Sequence, residues 1–311
     1  MPPSSSIAEH HATLQSVVAP AFLRKLDRLR LTVRRSFSPR PGNTPVPFGS
    51  QPSGLELTDY KEYGPGDDPR AVDWNAYGRL DALWVKRFRA EREAPLEIVL
   101  DVSASMAVPA SDAKFAFAVG LAASLAYVSL RQQDPVRVVA VGQDHPPFAA
   151  SPLFRHLGRF EELRNFLTRL SATGRSTLAD GIDAYIRSTR PAGIAIVLSD
   201  FLVPPAEVER ALTALGAPRR SVAVLRLIGP HERDPANLPR RALLRDIEHG
   251  SERLVSLTEE HRERYRRALA GHLQHLKRWC TAHGQTFLSV ETEHGLDHYL
   301  FRVLPEIGLL H

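Results

Sequence analysis

From residue 95 onward, strand-like and helix-like segments alternate along the chain, and this constrains the fold more than any other feature. Short apolar runs stand at Leu96 to Leu100, Val136 to Val141, Gly193 to Leu198, Val222 to Ile228 and Thr286 to Val290. Between and beyond them lie helical patterns at Lys114 to Arg131, Phe160 to Leu170, Leu178 to Ser188, Pro205 to Leu215 and Thr258 to Ala282. Continuous apolar runs of strand length suit strands covered on both faces, and strand–helix alternation builds a parallel sheet between helix layers. The expected class is α/β: a Rossmann-like open, mainly parallel sheet with helices on both faces. Residues Leu243 to Leu257, centred on His249-Gly250, read as an inserted hairpin.

Composition narrows the class. With 311 residues, 43% apolar and 24% charged, the chain suits a soluble globular protein of one large domain or one domain plus an appendage. Lys plus Arg is 40 against 35 for Asp plus Glu, and a net +5 spread over this length calls for no nucleic-acid partner. A lone cysteine, Cys280, excludes an internal disulfide framework and any multi-Cys metal site. Beside Trp279 in a helical pattern, it reads as a small core residue. The start, Met-Pro-Pro-Ser-Ser-Ser, lacks the basic opening and apolar core of a signal peptide. The apolar stretch from Phe115 to Leu130 falls short of the ~20 residues that span a bilayer, and Gly120, Ser124 and Ser129 interrupt it. No transmembrane segment and a cytoplasmic location are therefore expected.

Ahead of the alternating region the organisation differs. Residues 1–20 read as a flexible tail, disordered or loosely helical, closed by Pro20, and Phe22 to Arg35 as a basic amphipathic helix. Ser38 to Gly54 reads as a linker rich in Pro, Gly and Ser. A block dense in acids, arginines and aromatics runs from Gly54 to Glu93, with a tight turn at Gly64 to Pro69 and a strand at Leu83 to Phe88. The cluster of Asp67, Asp68, Arg70, Asp73 and Trp74 suits a structural role: carboxylates on turn amides, Arg–carboxylate forks and an anchoring Trp. The domains expected are a tail at 1–20, an N-terminal segment at 21–93 and an α/β domain at 94–311.

Chemistry concentrates at three loops. The strand at Leu96 ends in Asp101, followed at alternate positions by Ser103 and Ser105. Gly174-Arg175-Ser176-Thr177-Leu178 places adjacent hydroxyls before a helix, and Ser199-Asp200 follows an apolar strand. Open α/β sheets bind ligands at the carboxyl ends of their strands, where such loops lie side by side. Two carboxylates neutralise a divalent ion, while hydroxyls add hard oxygen ligands without charge, which suits Mg2+ or Mn2+. One coordination position would stay open for a partner's carboxylate. Ser111 and Asp112 read as caps for the helix opening at Lys114. Of the 13 histidines, His272 with His275 and His294 with His298 share helical faces, but neither pair has a third ligand. No nucleophile elbow, P-loop or dinucleotide fingerprint accompanies the strands.

The segment Asp101-Val-Ser103-Ala-Ser105 resembles the Asp-x-Ser-x-Ser motif of von Willebrand factor A domains, which form a metal-ion-dependent adhesion site. That family's second site element, Gly-x-Thr-x-Leu, resembles Gly174-Arg-Ser176-Thr-Leu178 with Ser in place of Thr, and its third, an Asp after a buried strand, is matched by Asp200 in Leu198-Ser-Asp200. The resemblance implies direct metal ligation by Ser103, Ser105 and Ser176, and ligation by Asp101 and Asp200 directly or through water. Thr177 stays an alternative to Ser176. The block from Gly54, through Tyr63-Gly-Pro65-Gly66-Asp67-Asp68-Pro-Arg70 and Val72-Asp73-Trp74-Asn75 to Val85-Lys86-Arg87-Phe88, is similar to the signature of the bacterial domain-of-unknown-function 58 family. Genes of that family commonly accompany MoxR-type AAA+ ATPases.

The function these readings imply is a non-enzymatic, divalent-metal-dependent protein-interaction module. Its partner would offer an acidic residue, and a MoxR-type ATPase is the implied associate. The alternatives are a metal-dependent hydrolase or phosphotransferase on the same loops, and a scaffold with a vestigial site.

Overall fold

A computed structural model of the chain describes residues 4–31, 55–64, 72–90, 95–142, 146–173, 178–189, 193–216, 220–234, 236, 240–245, 247 and 251–311. Helices α1 (Ser4–Val17) and α2 (Pro20–Leu26) come first, then β1 (Leu55–Glu62), α3 (Trp74–Leu80) and β2 (Trp84–Ala90). The alternating region opens with β3 (Leu96–Asp101), α4 (Lys114–Arg131), β4 (Val136–Val141), β5 (Phe148–Ala150), α5 (Phe160–Thr168) and α6 (Leu178–Ser188). It continues with β6 (Gly193–Ser199), α7 (Pro205–Leu215), β7 (Arg220–Ile228), α8 (Pro230–Arg233), β8 (Arg241–Arg245) and β9 (Glu252–Ser256). The chain closes with α9 (Glu259–Ala282), β10 (Thr286–Glu291), α10 (Gly295–His298) and α11 (Leu304–Glu306). Two compact units emerge, one formed by Met1–Arg34 with Ala94–His311 and the other by Arg35–Glu93.

The larger unit is built on a six-stranded sheet in the order β10-β7-β6-β3-β4-β5, parallel except for the short antiparallel edge strand β5. The chain enters at β3, steps outward to β4 and β5, then returns to the other side of β3 and steps outward through β6, β7 and β10. Direction therefore reverses between β3 and β6, which is the switch point where crevices open in doubly wound sheets. Asp101 ends one of these two strands and Asp200 follows the other.

Both central strands are buried along their whole length, and alternate residues serve opposite faces. Leu96, Ile98 and Leu100 join Ile194, Ile196 and Leu198 in the core under α4. Val99, Ala195 and Val197 face the other way, onto Leu178 and Ile182 of α6, Leu212 of α7 and Cys280 of α9. Helix α4 is buried from Lys114 to Leu130 because a second layer covers it. That layer includes α1, through Leu14 and Val17, with Leu300 and Leu304 near the carboxyl end. A Cβ at Gly120 would lie 2.6 Å from Thr13 Cγ2, so close packing of α1 requires the glycine. By length and composition a helix at Ala110–Arg131 could cross a membrane, yet 94% of its most apolar window is buried inside this unit.

The N-terminal expectations need correction. Of the two forms expected for the tail, Ser4–Val17 takes the helical one, but it is packed rather than loose: its leucine and valine are fully buried, so packing supplies the order that composition does not suggest. The helix expected at Phe22 to Arg35 is short and starts at Pro20, and it ends at Leu26. Beyond it, Leu29 and Leu31 sit two residues apart, the period of extended chain, and both are buried. Arg30 N donates to His311 O, and His311 N returns the bond to Arg30 O, both at 2.8 Å. The segment up to Arg34 thus belongs with the α/β unit, so the expected boundary near residue 21 falls later.

In the smaller unit, β1 and β2 pair antiparallel with an irregularity between Leu57 and Asp59. Asp73 caps α3, accepting from Asn75 N at 3.0 Å and Ala76 N at 3.3 Å. Trp74 is 65% exposed, so it does not anchor the segment as expected. The Asp67, Asp68 and Arg70 turn and the 38–54 linker lie outside the described residues. In the larger unit the inserted hairpin is present as β8 and β9, paired antiparallel with Leu243 opposite Leu254.

Candidate metal centre

Asp101 is the last residue of β3 and is only 2% exposed. Oδ1 accepts from the backbone N of Ser103 at 2.9 Å, and Oδ2 accepts from Ser199 Oγ at 2.5 Å. The first bond closes the turn that follows β3, and the second ties the acid to β6 across the switch point. The helical turn Ala104–Ala107 then folds Ser105 back, leaving its Oγ 3.0 Å from Ser103 Oγ. Ser105 Oγ donates to Asp200 Oδ1 at 3.3 Å. Asp101, Ser103, Ser105 and Asp200, named from sequence, are thus brought together by the fold. Ser176 and Thr177 lie outside the described residues.

Backbone geometry holds the cluster tight. At Gly142, after β4, φ is +91°, and a Cβ there would lie 2.8 Å from Asp101 Oδ1 and 3.0 Å from Ser103 N. Only glycine permits that approach. Phe201 takes φ of 53°, a left-handed conformation uncommon for an aromatic residue, and its N donates to Ser199 Oγ at 2.9 Å. Leu202 N donates to Asp200 Oδ1 at 3.2 Å.

Sequence reasoning missed the cations here. Lys114 Nζ lies 2.8 Å from Asp200 Oδ2 and 3.0 Å from Glu232 Oε1, with its side chain fully inaccessible. Burial alone would lower its ammonium, but the Asp200 and Glu232 carboxylates outweigh that and hold it above the usual lysine range. Arg226 of β7 is also buried, and burial is the main influence lowering its guanidinium, offset in part by Glu232 and Asp200. A signal existed for Lys114: a cation at the first position of a helix opposes the helix dipole, so it needs carboxylate partners from elsewhere. The expected caps are corrected as well, since α4 has no side-chain cap. Asp112 turns instead to α8, where its carboxylate accepts from His231 N at 3.2 Å and Glu232 N at 3.0 Å.

The donor set tests what the cluster can hold. Two carboxylates and two hydroxyls are hard oxygens, with no sulfur or imidazole among them, which suits Mg2+ or Mn2+. Burial and the nearby Asp200 charge push the Asp101 carboxyl up to about 6 from an ordinary 3.8, against the hydrogen bonds from Ser199 and Ser103. Like-charged acids brought together in a buried crevice favour a cation between them. These residues fit a small divalent ion.

The first histidine pair finds other partners. His272 Nε2 lies 2.9 Å from Phe201 O, and His275 Nε2 lies 2.8 Å from Glu209 Oε1. Glu291, Glu293 and His294 also group closely, but Arg233 pairs with both glutamates there. Cys280 is buried in the last turn of α9, and burial pushes its thiol up to about 11, which removes it as a nucleophile at neutral pH.

A family model described as protein of unknown function DUF58 matches residues 59–275. The chain belongs to the DUF58 family. An uncharacterised protein of Mycobacterium tuberculosis is 29% identical over 283 residues, which is 88% of this DUF58 chain and 86% of the relative. Among solved structures, conserved hypothetical protein BatB of Bacteroides thetaiotaomicron is similar at TM-score 0.43 and 16% identity, covering 69% of this chain and 97% of that one. A von Willebrand factor type A structure from Catenulispora acidiphila is similar at TM-score 0.34 and 17% identity, covering 61% and 45%.

Proposed function

We propose that this DUF58 protein is a non-enzymatic interaction module that grips an acidic residue of a protein partner through a divalent cation. The observation that carries the reading is the convergence of Asp101, Ser103, Ser105 and Asp200 within hydrogen-bond reach at the sheet's switch point. Ser103 and Ser105 would hold Mg2+ or Mn2+ with Asp101, and the Ser176-Thr177 loop would supply a further hydroxyl. The cation supplies a Lewis-acid seat for a carboxylate.

A non-enzymatic role is supported by the side chains at hand. Among the described residues neither oxygen-bearing loop carries a histidine, and the nearby lysine is locked between two carboxylates, so neither an imidazole nor a free amine is at hand for proton transfer. We place the protein in the cytoplasm as an adaptor or chaperone of a MoxR-type AAA+ ATPase, a partnership that rests on the family resemblance alone.

Affinity capture with the full chain tests the reading. Mg2+-dependent retention of a partner should disappear in chelator and in Asp101→Ala, while circular dichroism stays unchanged. Retention undiminished under both conditions would refute it.

A further inference from the structure

Lys114 is not needed to ligate a cation, yet it is among the most firmly held side chains on this face. Its ammonium bonds Asp200 Oδ2 on one side and Glu232 Oε1 on the other. Glu232 cannot readily follow a moving lysine. Its N is held by Asp112 Oδ2 at 3.0 Å, and its carbonyl oxygen accepts from Tyr265 Oη of α9 at 2.7 Å. Asp200 is pinned from the far side too, because Oδ1 accepts from Ser105 Oγ and Leu202 N.

Charge bookkeeping gives this a consequence. Three carboxylates, Asp101, Asp200 and Glu232, face two buried cations, Lys114 and Arg226. One net negative charge is left to meet a divalent ion, where the two acids alone would offer two. Direct ligation by Asp200 would loosen a charge-assisted bond inside a buried network, and breaking such bonds is costly.

We propose that Lys114 is a built-in counter-ion that holds Asp200 back from direct ligation, so that a divalent cation binds weakly alone and tightly only together with an acidic ligand. This rests on the metal-dependent reading above. A dication held chiefly by Asp101 and hydroxyls keeps a residual positive charge, which an incoming carboxylate neutralises. By linkage, acid and cation then raise each other's affinity by the same factor. Lys114 acts through Asp200, so it is a positioning residue.

Mn2+ titration calorimetry on the full chain, with and without acetate, tests this. Removing a fixed charge next to the dication in Lys114→Met should tighten Mn2+ binding by about tenfold or more. Glu232→Gln, which leaves Lys114 to Asp200 alone and deletes a negative charge, should weaken it. Acetate should tighten Mn2+ binding in the unmodified chain more than in Lys114→Met, and Mn2+ proton relaxation should show fewer waters in Lys114→Met as Asp200 replaces one. A structural role alone would not move the two variants in opposite directions. Should Lys114→Met fail to fold, Lys114→Met with Glu232→Gln keeps the charge balance, and it should bind more tightly than Glu232→Gln. Measurable binding that Lys114→Met leaves equal or weaker would overturn the counter-ion role while leaving the metal reading intact. Absence of Mn2+ binding in every variant would overturn both.

Discussion

Asp101→Asn separates the cost of the site from the fold that carries it. The Asp101 carboxyl titrates at about 6 in the folded chain against an ordinary 3.8. Folding therefore tightens its hold on a proton by about 3 kcal/mol. Between these values the folded state binds more protons than the unfolded state. Stability is thus fully present below about pH 4 and is lost as pH rises through about 6. Above that, without a cation, the ionised acid costs the fold up to about 3 kcal/mol. Asparagine keeps the shape and removes the charge. Its Oδ1 can still accept from Ser103 N, and its Nδ2 can donate to Ser199 Oγ, which already accepts from Phe201 N. Urea unfolding in chelator should find Asp101→Asn more stable than the parent by about 2–3 kcal/mol at pH 7, with the gap closing toward pH 4. Adding Mg2+ should stabilise the parent alone and narrow the gap at pH 7. A parent whose stability rises from pH 5 to pH 7 in chelator, with no gain from asparagine, would refute the reasoning.

Other perturbations probe the scaffold around the cluster. Gly142→Ala forces a Cβ against Asp101 Oδ1 and Ser103 N at a positive φ; it should cost about 1–3 kcal/mol in urea unfolding and abolish Mg2+-dependent capture. Asp112→Ala removes the acceptor for two N–H groups of α8; thermal unfolding should register a loss of about 2 kcal/mol. Glu97→Gln leaves buried Arg220 without its carboxylate at the opposite end of the sheet, and urea unfolding should show a loss of about 3–5 kcal/mol.

How far the sequence discloses this molecule depends on how local the determining physics is. Helix α4 and strand β4 match their expected bounds because each is dominated by apolar residues and the Gln132-Gln133-Asp134-Pro135 turn separates them. Strand β5 and helix α8 are too short to leave a periodic signature. The helix expected through Arg35 is misread because Leu23, Leu26, Leu29 and Leu31 mix two periods, helical at first and extended at the end. Order in α1 comes from burial against α4, which the composition of residues 4–17 does not disclose. At the site, Asp101, Ser103 and Ser105 are visible because one strand end and its loop carry them, and Asp200 because it directly follows the apolar run of β6. Lys114 escapes because its partners lie 86 and 118 residues away. Distant ion pairs have no spacing rule.

The central claim is that a divalent cation seats between the β3 and β6 loops, and Mn2+ anomalous diffraction from crystals of the full chain tests it most directly. The account predicts a peak about 2.0–2.2 Å from Ser103 Oγ and Ser105 Oγ, a span set by Mg2+-like oxygen coordination, and no such peak in Asp101→Ala. A Mn2+-soaked crystal with no density between Asp101 and Asp200, or with its peak at Glu291 and Glu293 instead, would contradict it.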